Sequence, residues 1–287
     1  MIAVEDVSTN RPLQPADWAR CIGELPSLPR AFVAAVEVLG QDHAPASACI
    51  DAIERDQALT VRVLHLANSA FYGAPGKVSR VGDAVQMLGL RTVANTLAAL
   101  SLRTTLTALQ CKGFPFEAYW RHSLCTAISA REFAKRVSLD TGEAFLLGLL
   151  HDVGRLILAV TSPALEARAL QRCRQEGMSM HEAEQRVFGV SHTEVGAAVT
   201  REWNFPPSIT DAVLHHHQPA ALLKTESIGM GHLLHLANAM AHGMEGADPA
   251  LPSLVSDPLW PALRISALHL HALCDQIAAE LNLMSRA

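Results

Sequence analysis

Aromatic residues make up only 5% of this 287-residue chain. Sheet cores lean on β-branched and aromatic side chains, whereas alanine and leucine recur throughout here, so the scarcity points to helices packed closely on one another. A basic excess is also missing: 23 Lys and Arg stand against 28 Asp and Glu, for a net charge of −5. That removes the electrostatic basis for broad nucleic-acid or anionic-membrane binding. The six cysteines, at 21, 49, 111, 125, 173 and 274, contain no Cys-x-x-Cys pair. Neither a zinc knuckle nor a dense disulfide framework is suggested, and reduced thiols in a cytoplasm are the simpler account. The opening MIAVEDVSTNRP lacks the basic start and apolar stretch of a secretory signal, and no apolar run is read as a membrane span. What is abundant is apolar surface, at 49% of residues, enough to fill a sizeable core. The expectation is a soluble, cytoplasmic, all-α protein whose partners are proteins or small ligands.

Proline and glycine punctuate the chain. Residues 1–17 carry two prolines and many polar residues and read as a flexible lead-in. Pro26 and Pro29 then fix the chain before a helix whose stripe includes Phe32, Val33, Val36 and Leu39. Further helices are expected at about 46–55, 58–68, 80–88 and 91–108, with YGAPGK (72–77) and Gly89 as breaks. CKGFPF (111–116) reads as a connector, giving a first helical lobe at 18–112 and a second at 113–245. A C-terminal helical extension at 246–287 follows a loop rich in Gly and Pro. Asp140 with Glu143, and Ser191 with Glu194, have capping-box spacing, and Asn68 is placed to cap a helix C-terminus.

Fourteen histidines are informative by position rather than number. His151 and Asp152 lie side by side in GLLHDVGRL, at the end of a strongly apolar helix. Neighbours on an ideal helix point about 100° apart, so the pair can share an ion only where the helix ends or bends, and Gly154 offers such an ending. His122, His192 and the run His215 to His217 lie on other expected helices. Imidazole nitrogen with carboxylate oxygen suits iron, manganese or zinc, and one ion can be reached from several helices of a bundle. A plainer account stands beside this one: imidazoles at a helix C-terminus cap carbonyls and complement the dipole.

Several stretches together resemble one family. They are LPSLPRAF (25–32), ERDQALTVRVLHLANSAFYG (54–73), VSRVGDAVQMLGL (78–90), YWRHSL (119–124), EAFLLGLLHDVGRLIL (143–158), SHTEVGAAVTREWNFPPSI (191–209) and HHQP (216–219). In this order they resemble the HDOD domain, a helical relative of the HD metal-dependent phosphohydrolases found in bacterial signalling proteins. The resemblance implies two packed helical lobes, the second HD-like, and a regulatory role in signalling exercised through protein partners. Set against the related HD-GYP phosphodiesterases, it places His122, His151, Asp152, His192, His216 and His217 at metal-ligand positions. Where those enzymes carry a late aspartate, this chain has Asn238, and the GYP motif after HHQP is absent. An amide supplies no charge to a binuclear centre, so at most one divalent ion (iron, manganese or zinc) is expected at a degenerate site. The reading is therefore of a noncatalytic signalling module with an unidentified protein partner. A metal-dependent phosphohydrolase acting on a cyclic dinucleotide or nucleotide, and a domain that senses a nucleotide without cleaving it, are the alternatives.

Overall fold

The computed structural model describes residues 13–41, 44–72, 78–109, 111, 113–218, 228–245 and 254–286. The first twelve residues of the expected lead-in, 73–77 of YGAPGK, Pro219 of HHQP and the Gly/Pro loop at 246–253 lie outside these. Among the described residues there is no strand, and the expected all-α class holds. The helices run α1 (Pro15–Gly23), α2 (Arg30–Leu39), α3 (Ala46–Glu54), α4 (Gln57–Ala67), α5 (Val81–Leu88), α6 (Leu90–Thr107), α7 (Phe116–Val137) and α8 (Thr141–Leu150). They continue as α9 (Val153–Thr161), α10 (Pro163–Glu176), α11 (Met180–Phe188), α12 (His192–Glu202), α13 (Pro207–His215), α14 (Met230–Glu245) and α15 (Ala267–Arg286).

Local chemistry explains these boundaries. The Asp56 carboxylate accepts from the backbone N–H of Ala58 and Leu59, which starts α4. Asn68 ends it: its Nδ2 donates to the carbonyls of Leu64 at 2.9 Å and Val78 at 2.7 Å. Asp140 opens α8 by accepting the Glu143 N–H at 2.6 Å, and Glu194 Oε2 accepts the Ser191 N–H at 3.0 Å to start α12. One expectation needs correcting. Helix α1 begins at Pro15, inside the stretch read as lead-in, because the Gln14 N–H donates to Asp17 Oδ2 and proline suits the first helical turn.

The chain forms two compact units, each assembled from three separate stretches. The first comprises Met1–Ser27, Leu106–Tyr119 and Leu150–His235; the second comprises Leu28–Thr105, Trp120–Leu149 and Leu236–Ala287. The contiguous lobes drawn from the sequence are thus a different partition of the same chain. In the first unit α12 packs on α9 and α13, and α10 packs on α11. In the second, α2, α3, α4 and α5 pack in succession. A buried ion-pair network also lies there, in which the Arg131 guanidinium donates to Glu132 and to both oxygens of Glu280, tying α15 to α7.

An 18-residue window within Thr141–Thr161 has a mean hydropathy of 1.6, which by length and composition alone could cross a membrane, although His151, Asp152 and Arg155 keep the stretch from being an unbroken apolar run. It is 89% buried within the protein, and it is two helices, since α8 stops at Leu150 and α9 starts at Val153. The bend falls on His151 and Asp152 themselves. Gly154, read from sequence as a helix end or bend, lies just after this break in the first turn of α9, where a Cβ would come within 2.0 Å of the His192 carbonyl oxygen and 2.6 Å of the Gly196 nitrogen. Its role is close backbone approach between α9 and α12, which brings the turn carrying Asp152 against the start of α12.

Candidate metal centre

Four ligand atoms of the first unit converge. One oxygen of Asp152 and one ring nitrogen each from His192, His216 and His217 all lie within 4.8 Å of one another. Asp152 comes from the bend before α9, His192 from the first position of α12, and His216 and His217 from the end of α13. His192 Nε2 lies 3.1 Å from His217 Nε2, 3.4 Å from His216 Nε2 and 3.3 Å from Asp152 Oδ1, and His216 Nε2 is 3.7 Å from that oxygen. Four ligands held tetrahedrally at ~2.1 Å from one ion are separated by about 3.4 Å. The donor set therefore fits a single borderline divalent cation.

The rings are held from behind. His216 Nδ1–H donates to the Val213 carbonyl at 2.7 Å, and His192 Nδ1–H donates to Glu184 Oε2 at 2.5 Å. With both Nδ1 protons committed, neutral His192 and His216 rings turn their Nε2 lone pairs towards the point where the four donors converge, the arrangement a shared cation needs. Glu184 Oε2 also accepts the His192 backbone N–H at 2.8 Å, so one buried carboxylate fixes both the ring and the helix start. Asp152 is divided between two tasks. Its Oδ1 faces the histidines, and its Oδ2 lies 3.3 Å from the Arg155 guanidinium, which orients the carboxylate.

The electrostatics agree. Burial raises the Asp152 pKa, but His151, His192, His216 and Arg155 overcome it and hold the carboxyl well below its ordinary value. Burial pushes His192 down, yet Glu184 and Asp152 more than offset it and raise its pKa. Burial and the neighbouring imidazoles hold His217 far below its ordinary value, and burial also lowers His216. The cluster attracts one positive charge and resists several.

Of the six histidine and aspartate positions expected from sequence, Asp152, His192, His216 and His217 thus meet around one point. His151 flanks them, wholly buried, with Nε2 3.4 Å from Asp152 Oδ1. His122 belongs to the second unit, where its Nε2 bonds Asn238 Oδ1 at 2.9 Å and its Nδ1 bonds Glu245 Oε1 at 2.9 Å. Sequence reading missed Glu184, and it missed His181, whose ring stands 5.2 Å from that of His217. Their spacing in HEAE puts both on one face of α11, a signal that becomes readable only once α11 is known to face the site. It also missed Glu166, buried on α10 with neither carboxylate oxygen hydrogen-bonded.

The HDOD domain family model matches residues 25–219. An HDOD domain protein of unknown function from Geobacter sulfurreducens has a solved structure that is 26% identical, with a TM-score of 0.75 and 93% of each chain covered. A provisionally assigned phosphohydrolase from Shewanella amazonensis is 24% identical, with a TM-score of 0.73, covering 94% of this chain and 97% of its own, and this likeness is one of fold alone. An uncharacterised protein of Treponema pallidum is 23% identical over 214 residues, 74% of this chain; the chain spans only 41% of that relative's length. With two-thirds of its length matched and its helices arranged as in such proteins, the chain belongs to the HDOD domain family.

Proposed function

We propose that this chain is a noncatalytic regulatory module of the HDOD type that acts through contact with a signalling protein partner. Its histidine centre then organises the first unit, holding one divalent ion (zinc, iron or manganese) that cross-links the bend before α9 to α12 and α13. The observation that carries this reading is the charge of the donor set: Asp152 is the one carboxylate among its four ligand atoms. Glu184 lies behind His192, facing its Nδ1 rather than the converging Nε2 atoms. Two divalent ions need carboxylates to neutralise and bridge them, and the donors here suffice for one.

A metal-dependent phosphohydrolase is the second reading, favoured by the tautomer control that Glu184 and Val213 exert on two of the histidines. When bound, a divalent ion would supply Lewis acidity and an activated water. Arg155 would serve this reading poorly as a phosphoryl clamp, since its guanidinium is engaged with Asp152. By analogy, removing one preorganised transition-state donor typically costs ~10²–10³ in rate. The expected result is no saturable hydrolysis of cyclic dinucleotides or nucleoside phosphates with manganese, iron(II), magnesium or zinc. Robust turnover that disappears in both His151→Ala and Asp152→Ala would overturn the noncatalytic reading. A nucleotide bound without turnover would instead shift it to a sensing domain.

A further inference from the structure

The first unit also contains a cavity of about 410 Å³, within the ~300–1,000 Å³ usual for small-molecule clefts. Among the described residues that line it there is none of the Asp152 set. Leu106, near the end of α6, and Leu156, on α9, are almost wholly buried and make an aliphatic wall. Phe114, also buried, and the half-buried Phe116 add two aromatic rings. Thr107 and Glu117 line the cavity from exposed positions, so its polar end lies towards solvent. The walls are held by bonds of their own. The Cys111 thiol donates to the Ala159 carbonyl of α9 at 3.1 Å, the Phe114 N–H donates to the Cys111 carbonyl at 3.3 Å, and the Phe116 N–H donates to the Phe114 carbonyl at 2.8 Å. Gly113 turns the chain within this loop at a φ of 89°, which costs glycine little. Behind it the Tyr119 ring packs on those of Phe114 and Phe116, with centroids 5.4 and 5.9 Å away.

The lining selects one kind of occupant. The Cys111 S–H is committed to Ala159, and burial together with nearby Glu166 raises its pKa, so the sulfur stays a neutral thiol and only a weak acceptor. The Thr107 hydroxyl can accept, and an ionised Glu117 can do nothing else. Among the described lining residues none is cationic, so a phosphate or carboxylate entering here would shed its water without gaining a counter-charge. An apolar body against Leu106 and Leu156 meets no such cost, and burying it is favourable. A cationic end complements the Glu117 side of the cavity, and the faces of aromatic rings such as Phe114 and Phe116 attract cations as well.

We propose that this cavity binds a small ammonium compound with an aromatic or branched aliphatic body, its charged end at Thr107 and Glu117. The site shares no residue with the Asp152 centre and does not depend on the regulatory reading. The test is isothermal titration of the tag-free full-length protein with tryptamine, with its charge-reversed counterpart indole-3-propionate, and with uncharged 3-ethylindole. The variants are Phe116→Ala and Glu117→Gln, at half-buried and exposed positions, and the thermal transition checks that each is folded. The expected result is saturable one-to-one binding of tryptamine, weaker binding of 3-ethylindole and the weakest of indole-3-propionate. Phe116→Ala should weaken tryptamine and 3-ethylindole alike by ~2–10-fold. Glu117→Gln should weaken tryptamine by ~2–5-fold and leave 3-ethylindole unchanged. Saturating tryptamine should also slow alkylation of Cys111 by iodoacetamide but not that of Cys274, another partly exposed thiol, as read by peptide mass spectrometry. Equal affinity for tryptamine and indole-3-propionate would overturn the proposal, as would tryptamine binding that neither substitution alters. Absence of saturable binding by all three compounds would overturn it too.

Discussion

Glu166 should make the protein less stable as pH rises from about 4.5 to about 7. Its side chain sits on α10, only 3% exposed, with neither oxygen hydrogen-bonded. Burial raises its pKa from 4.5 to about 7; the nearby Arg155 and His192 pull it down, and Glu184 pushes it up. Below about pH 4.5 the carboxyl is protonated in the folded and unfolded chains alike, and folding is unaffected. Between there and about pH 7 the folded chain keeps a proton that the unfolded chain has released, so stability falls as pH rises. A rise from 4.5 to about 7 corresponds to a loss of ~3 kcal/mol once the carboxylate is fully ionised. Glu166→Gln mimics the protonated form. It should match wild type at pH 4.5 in urea unfolding and exceed it at pH 8 by up to ~3 kcal/mol, with Asp152 and its Arg155 contact untouched. An equal effect of the substitution at both pH values, or a less stable variant at pH 8, would refute the reasoning.

Two further outcomes follow from the packing around the metal centre. Gly154→Ala drives a methyl into the His192 carbonyl at 2.0 Å, a backbone contact that no rotamer change relieves; a loss of ~3 kcal/mol or more is expected in thermal unfolding. Gly82→Ala, with nothing within 4 Å of the added carbon, should instead stabilise by roughly 0.5–1 kcal/mol, and equal effects of the two would discredit the α9–α12 contact. Glu184→Gln should weaken zinc at the Asp152 centre by ~10–100-fold in a competition titration, because the charged partner that fixes His192 is lost. Unchanged affinity would mean that the His192 ring is oriented by something else.

Much of the local structure was legible in the sequence because its causes are local. Asp140 and Ser191 sit at the starts of α8 and α12 as their spacing with Glu143 and Glu194 required, and Asn68 closes α4 as expected, since a cap needs only its own helix. The all-α class followed from composition and apolar spacing, and the family motifs pointed at Asp152, His192, His216 and His217.

What the sequence could not decide is which helix faces which. Periodicity marks the apolar stripe of each helix but not its neighbour, so Gly154 read only as a helix end or bend although its lack of a side chain also serves an α12 backbone 38 residues away. Glu184 looked like one more charged residue of a polar helix; only the packing of α11 puts it, fully buried, against His192. His122 carried the same motif signal as the other histidines, yet its ring nitrogens bond residues of α14 more than a hundred positions later. The sequence by itself determined which residue types could bind an ion and which residues cap α4, α8 and α12. Only the tertiary structure decided which lone pairs converge, because that depends on backbone approach and on the hydrogen bonds behind each ring.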